Sequence, residues 1–242
     1  MSRAASIAAM GWPGSLSGAA AAVILDFNGT VAEDETMLMG IYDALLQEHG
    51  VAFDAGEYAR CAGLPDRVMF QRLFKAQGRR LDAVTADRLL RERIERYRWA
   101  VSDWHPVAPD TGAFVRAVAA RVPVAVASGA FRAEIDQVLA LAGLAECVSV
   151  IVSIEDVRAG KPDPEGFTAA LTRINHGRVD VIAPEHTVVV EDATDGVRAA
   201  RAAGMRCVAI RGRAYDEASG LAQLVVNRLT SELAAALLGD GP

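Results

Sequence analysis

The sequence predicts an α/β fold: a doubly wound parallel sheet carrying an inserted helical segment. Short apolar runs of strand character, at residues 21–25, 123–127, 148–152, 187–190 and 206–210, alternate with helix-length amphipathic stretches. Strands separated by helices of that length pair in parallel, with helices on both faces of the sheet. Between the first and second runs lie residues 34–105, which read almost wholly as helix.

In the order of the chain, Ala21–Leu25 is a buried strand that delivers Asp26 to a turn containing Gly29. Met37-Leu38, Ile41-Tyr42 and Leu45-Leu46 repeat at helical spacing, with Gly50 as a stop signal. A short helix follows around Ala55–Cys61, another begins near Pro65, and a long one runs through Asp87–Trp104. Its arginines (Arg91, Arg93, Arg96, Arg98) read as a solvated face with intrahelical pairs such as Arg91–Glu95. Helix Thr111–Arg121 leads to the strand ending at Ser128-Gly129, and helix Arg132–Leu141 follows. Val148–Val152 is strand-like, and helix Pro164–Ile174 comes after a loop holding Lys161. Strand Thr187–Val190 runs into Glu191-Asp192, helix Asp195–Ala203 follows, and Arg206–Ile210 is the last strand expected.

Four segments carry chemistry: Leu25–Thr30, Ser128-Gly129, Arg158–Pro164 and Glu191–Gly196. Ligands of open parallel sheets bind outside the carboxyl ends of the strands, where these segments fall. Together they offer a nucleophilic carboxylate (Asp26), a hydroxyl and a lysine to hold phosphate (Ser128, Lys161), and acids for a hard cation (Glu191, Asp192). Oxygen ligands of this type suit Mg²⁺, which commonly bridges carboxylate and phosphate.

In order, spacing and residue type the four segments resemble the signature of the haloacid dehalogenase superfamily, in its phosphatase and phosphomutase branch. The resemblance runs from about residue 21 to the end. It implies a Rossmann-like core (21–33 and 106–242) and a helical cap (34–105), with crossings at Asp34 and near Asp103–Pro109. It also implies that Asp26 is the nucleophile that becomes an aspartyl phosphate, and that Ser128, Gly129 and Lys161 bind the phosphoryl group, with Thr30 positioning it. Mg²⁺ would be held by Asp26, the backbone carbonyl of Asn28, Asp192 and, through water, Glu191. A bond preceding Pro162 is expected in the cis form, as in relatives. A dehalogenase fits less well, because Lys161 and the paired acids suit a metal-bound phosphoryl group.

One departure matters. The family places an aspartate two residues after the nucleophile, as general acid and base; this chain has Asn28. An amide makes hydrogen bonds but cannot carry a proton through the reaction. Four readings follow: a natural variant whose activity is limited or rescued by Glu33 or Asp34, a substitution introduced to trap a complex, a non-catalytic phosphometabolite-binding protein, and deamidation of Asn28-Gly29 back to aspartate. The first is adopted. The expected function is a Mg²⁺-dependent phosphatase of a small phosphorylated metabolite such as a sugar phosphate; a β-phosphoglucomutase-like mutase and a binding protein are the alternatives.

In the cap, Gly63-Leu64-Pro65-Asp66-Arg67 resembles a substrate-specificity loop, with Arg67 as a candidate cation for a distal phosphate or carboxylate. Alternatively Asp66 caps the helix and Arg67 faces solvent. Asp195 is expected to cap its helix or brace the metal ligands. The four histidines are dispersed and receive no role.

Composition sets limits. The chain has 242 residues, a net charge of −6 and a pI near 5.3, which argues against nucleic acid as a partner. Cys61, Cys147 and Cys207 lack metal-type spacing and are expected as reduced thiols in cytoplasm. Residues 1–20, rich in Ala, Ser and Gly, are expected as a flexible leader rather than a secretory signal. No apolar run has the ~18 residues of a membrane span. A monomer or a homodimer is expected.

Overall fold

The computed structural model describes residues 18–61, 64–211, 216 and 220–240. Its centre is a six-stranded, all-parallel sheet in the order β3-β2-β1-β4-β5-β6. The strands are β1 (Ala22–Leu25), β2 (Val124–Ala127), β3 (Val150–Val152), β4 (Thr187–Glu191), β5 (Arg206–Ile210) and β6 (Leu224–Val226). The helices are α1 (Glu35–Glu48), α2 (Ala55–Cys61), α3 (Asp66–Ala76), α4 (Ala83–Asp103), α5 (Pro109–Ala119), α6 (Arg132–Leu141), α7 (Glu165–Asn175), α8 (Thr194–Ala202) and α9 (Ser231–Leu237).

The Val- and Ala-rich strands are apolar on both faces because both faces are covered. Side chains alternate along β1: Val23 and Leu25 join the core cluster beneath α5, α6 and α9, whereas Ala22 and Ile24 join the cluster beneath α7 and α8. From β1 the chain goes first to β2 and β3, then returns to β4 on the other side. Strand order therefore reverses beside β1, and a crevice opens there at the carboxyl ends. Register fixes what enters it. Leu25 lies opposite both Val126 and Val190, so the residues beyond these strands, Asp26, Ser128 and Glu191-Asp192, emerge side by side.

Helices α1–α4 occupy the long segment between β1 and α5. The two crossings touch, since the Glu33 N–H donates to the Pro106 carbonyl at 2.8 Å. Within the insertion, α1 and α3 pack on α4. Tyr42 of α1 makes an edge-on ring contact with Phe70 of α3, with centroids 6.0 Å apart. The insertion shares one apolar cluster with the core, running from Leu38 and Phe70 through Val23 to Phe114.

Several expectations need correction. The leader as far as residue 17 lies outside the described residues, but the fold begins before residue 21. Ala20 is buried and donates to the Leu237 carbonyl, and Arg206 donates to the Gly18 carbonyl. Helix α4 starts a turn earlier than expected, because the Asp82 carboxylate caps it by accepting from the Thr85 N–H at 2.8 Å. The arginines of α4 are not simply a solvated face. Arg96 reaches Glu48 on α1, Arg98 donates to the Gln137 amide on α6, and Arg93 is 4% exposed. Arg93 falls on the buried stripe Ala86, Leu89, Arg93, Tyr97, Val101, a helical spacing that carries it inside. There its Nη1 meets Glu134 of α6, which is wholly buried, and so ties the insertion to the core.

Removing one partner of a buried ion pair strands the other charge. Glu134→Ala is therefore expected to lower unfolding free energy by about 3–5 kcal/mol, read from urea denaturation at pH 7. A loss below about 1 kcal/mol, the range of exposed pairs, would mean that Arg93 finds solvent or another acid.

Candidate active site

Four sequence segments converge on the crevice. Asp26 leaves β1 and is 6% exposed, while Glu191 and Asp192 leave β4 almost fully buried. Ser128 and Gly129 follow β2, and Lys161 comes from the loop before α7, where its bond to Pro162 is cis. The cleft they line measures about 190 Å³. Helices of the insertion form its far wall, through residues such as Tyr42, Asp66 and Arg93.

The Lys161 ammonium bridges two acids, in a short contact with Asp26 Oδ1 and at 2.5 Å from Glu191 Oε1. Burial alone would lower the lysine pKa, but the two carboxylates outweigh it and hold Lys161 protonated well above its ordinary range. Asp192 is pushed far upward by burial and by the charges of Glu191 and Asp26. Burial and Asp26 likewise raise Glu191 against the pull of Lys161. One ammonium does not balance three crowded carboxylates.

That imbalance is what a bound cation would relieve. Among the described residues, carboxylate oxygens of Asp26, Glu191 and Asp192 lie within 4.8 Å of one another, all buried. An all-oxygen, multiply charged donor set fits a small hard divalent ion.

Two glycines make the crowding possible. At Gly29 φ is +77°, and a Cβ would overlap the Asp192 carboxylate; at Gly196 a Cβ would overlap the Glu191 carboxylate. Gly29 was legible only as a turn residue. Gly196 has no sequence signal of its own, because a helical glycine is uninformative until its neighbour is known.

The expected Asn28 lies at the cleft, with its Nδ2 donating to Asp34 Oδ2 at 2.7 Å. The Tyr97 hydroxyl donates to the same oxygen at 2.6 Å. Asp34 is fully buried, its Oδ1 has no partner among the described residues, and burial raises its pKa to about 7 against the two hydrogen bonds.

Other expected residues lie elsewhere. Thr30 is buried beside the cleft, and its hydroxyl faces Asp192 Oδ1 at 3.5 Å. Arg67 does not line the cleft, but pairs with Asp87 of α4 on the half-exposed outer side. The cation of the far wall is Arg93, which sequence reasoning had placed in solvent. Asp66 is not the helix cap: it begins α3 and accepts from the Tyr42 hydroxyl at 2.6 Å. Asp195 pairs with exposed Arg198 and neither caps α8 nor braces the acids. Gly63 lies outside the described residues. None of the four histidines lines the cleft. Cys61, Cys147 and Cys207 are free thiols.

The methyl of Gly196→Ala would push Glu191 away from Lys161 and from the Ala193 N–H that it accepts at 2.8 Å. Divalent-ion affinity is expected to fall about 10–100-fold, measured by calorimetric titration; an unchanged affinity would remove Glu191 from the site. Asp34 gives a pH test. Its folded pKa lies above the value of 3.8 for a free aspartate, so folding favours the protonated form. That stabilisation is complete below about pH 4 and is lost as pH rises to about 7. It amounts to at most about 4 kcal/mol. Asp34→Asn is expected to flatten the fall in Tm between pH 5 and pH 8; an equal fall in both proteins would place the titration elsewhere.

Comparison with known proteins agrees with this geometry. The family model of haloacid dehalogenase-like hydrolases matches residues 20–204. Validoxylamine A 7'-phosphate phosphatase of Streptomyces hygroscopicus subsp. limoneus is 26% identical over 211 residues, covering 86% of this chain and 93% of that protein. Fructose-1-phosphate phosphatase YqaB of Escherichia coli is 29% identical over 191 residues, covering 79% and 96%. Crystalline CbbY from Rhodobacter sphaeroides in complex with phosphate superposes with a TM-score of 0.78 at 22% identity, over 91% of this chain and 99% of that one, and so shares the fold. Among the described residues no helix is long and apolar enough to cross a membrane. By the match of its model across most of the sequence, this chain belongs to the haloacid dehalogenase-like hydrolase family.

Proposed function

We propose that the protein is a Mg²⁺-dependent phosphatase of small phosphorylated metabolites, sugar phosphates among them, acting through a phosphoryl group carried on Asp26. The observation that carries this reading is the placement of Asp26 and Lys161 in contact, in one cleft with Ser128, Gly129 and the buried acids. Family membership and the names of the two relatives, both phosphatases, support the same class.

Asp26 attacks phosphorus, and the bond from phosphorus to the ester oxygen breaks. Lys161, the Ser128 hydroxyl and the backbone at Gly129 hold the phosphoryl oxygens in line. Water then cleaves the aspartyl phosphate and returns Asp26. Asp26, Asp192, the backbone carbonyl of Asn28 and, through water, Glu191 would hold Mg²⁺, which when bound would neutralise phosphate charge. The helical insertion, residues 34–105, acts as the cap that keeps bulk water from the cleft. Asn28 offers hydrogen bonds but no proton, so esters with poor leaving groups react slowly.

The test is phosphate release from acyl and sugar phosphates, with and without Mg²⁺. Asp26→Asn is expected to abolish release. Asn28→Asp is expected to raise release from poor leaving groups by about 10²–10⁴. The new carboxylate would face Asp34, and two carboxyls at that separation share one proton, leaving a proton available to the ester oxygen. If the protein and its Asn28→Asp form are both inert while Mg²⁺ and a phosphate ester still bind, the protein is a binder of phosphorylated metabolites.

A further inference from the structure

The two ends of the cleft differ in charge. At the sheet end, a divalent ion and Lys161 would offset Asp26, Glu191 and Asp192. At the insertion end, Glu35 and Asp66 line the wall, and Arg93 is the only cation among the described lining residues besides Lys161. Arg93 is already engaged. Its Nε donates to the Tyr42 hydroxyl at 3.2 Å and lies 3.1 Å from Asp66 Oδ2, and its Nη1 meets Glu134. Its guanidinium also lies 5.5 Å from the ring centroids of both Tyr42 and Tyr97.

We infer that the far wall selects phosphate monoesters whose organic part is uncharged or bears an amine, and rejects a second phosphate or a carboxylate. The inference rests on the phosphatase reading and narrows its substrate class. A distal dianion would meet the carboxylates of Glu35 and Asp66, which line the same cleft. It would also have to compete with Asp66 and Glu134 for Arg93. Like charges set against a ligand exclude it more strongly than a missing contact does. Hydroxyls and ammonium groups, by contrast, can share the Asp66 carboxylate, whose oxygens each accept more than one hydrogen bond. The same wall disfavours a phosphomutase, which must hold a phosphate at both ends of its intermediate.

The experiment uses the full chain in Mg²⁺ with glucose 6-phosphate, glucosamine 6-phosphate and glucose 1,6-bisphosphate. Both monoesters are expected to show kcat/KM at least about tenfold above the bisphosphate, a modest ratio for charge discrimination. In Asp66→Asn, which retains an acceptor for Tyr42 but loses the charge, that ratio should shrink at least about threefold. Equal or faster cleavage of the bisphosphate overturns the inference, as does an unchanged ratio in a variant whose circular dichroism and Tm match the parent. Should Asp66→Asn not fold, Glu35→Gln carries the same comparison. If none of the three esters is cleaved, the phosphatase reading fails by itself, and calorimetric affinities decide the inference. Tighter binding of the monoesters supports it, and tighter binding of the bisphosphate overturns it.

Discussion

Three carboxylates and one ammonium, taken out of water together at the ends of β1 and β4, are the constraint around which the molecule is arranged. Such a cluster is costly, because each charge loses hydration and the carboxylates repel one another. What holds it in place is apolar: strands of Val, Ile and Ala buried on both faces, in a register that leaves Asp26 and Glu191 no other position. Glycine at 29 and 196 then leaves room for the Asp192 and Glu191 carboxylates, which a Cβ at either position would overlap. On the proposed reading, the residual negative charge would favour a hard cation, and that cation would in turn favour a phosphate dianion. Stability and binding would then be opposed in the carboxylate cluster alone and aligned with a cation bound.

The helical insertion extends this electrostatic logic upward. Arg93 spans the boundary, meeting Glu134 of the core and Asp66 of α3. Buried pairs of this kind add little net stability but specify one arrangement of their partners. Here the partners lie on the insertion and on the helix that follows the Ser128 strand. The contact that joins the two parts thus also sets the charge of the wall facing the substrate.

Residues at strand ends were legible in the sequence because backbone geometry decides where they go. A carboxylate closing a run of buried β-branched residues has one place to be, and Asp26, Ser128, Lys161, Glu191 and Asp192 all reach the crevice that the alternation predicts. Side chains on helices were harder. Arg67 and Arg93 are both arginines in amphipathic helices, and their fates differ because Arg93 falls on the stripe of Leu89 and Tyr97. That spacing was present in the sequence; a charged residue on an apolar stripe is usually discounted, since its burial needs a partner such as Glu134, which is remote in sequence. Asp195 was misplaced for a local reason, since the nearby Arg198 takes its carboxylate. Strand β6 and helix α9 have no counterpart among the expected elements; no shorter than β3 and α2, which were expected, they lie beyond the four segments that carry the chemistry.

Asn28 and Asp34 are best understood as one unit. A carboxylate at 28 would stand at hydrogen-bond distance from the buried Asp34 carboxylate, and both could not be ionised. An amide resolves the conflict by donating to Asp34 Oδ2, the oxygen that also accepts from Tyr97. The proton-bearing group usual at position 28 is missing, yet a carboxyl whose pKa is raised to about 7 stands one hydrogen bond away. The amide is thus matched to its surroundings. The same hydrogen bond fixes which way the amide faces. With Nδ2 committed to Asp34, Oδ1 is left as an acceptor, the role position 28 would take in the proposed reaction. An acceptor can orient an attacking water, but it cannot protonate a departing alkoxide. In the proposed two-step reaction, hydrolysis of a phosphorylated Asp26 would therefore be better served by this site than the departure of a poor leaving group.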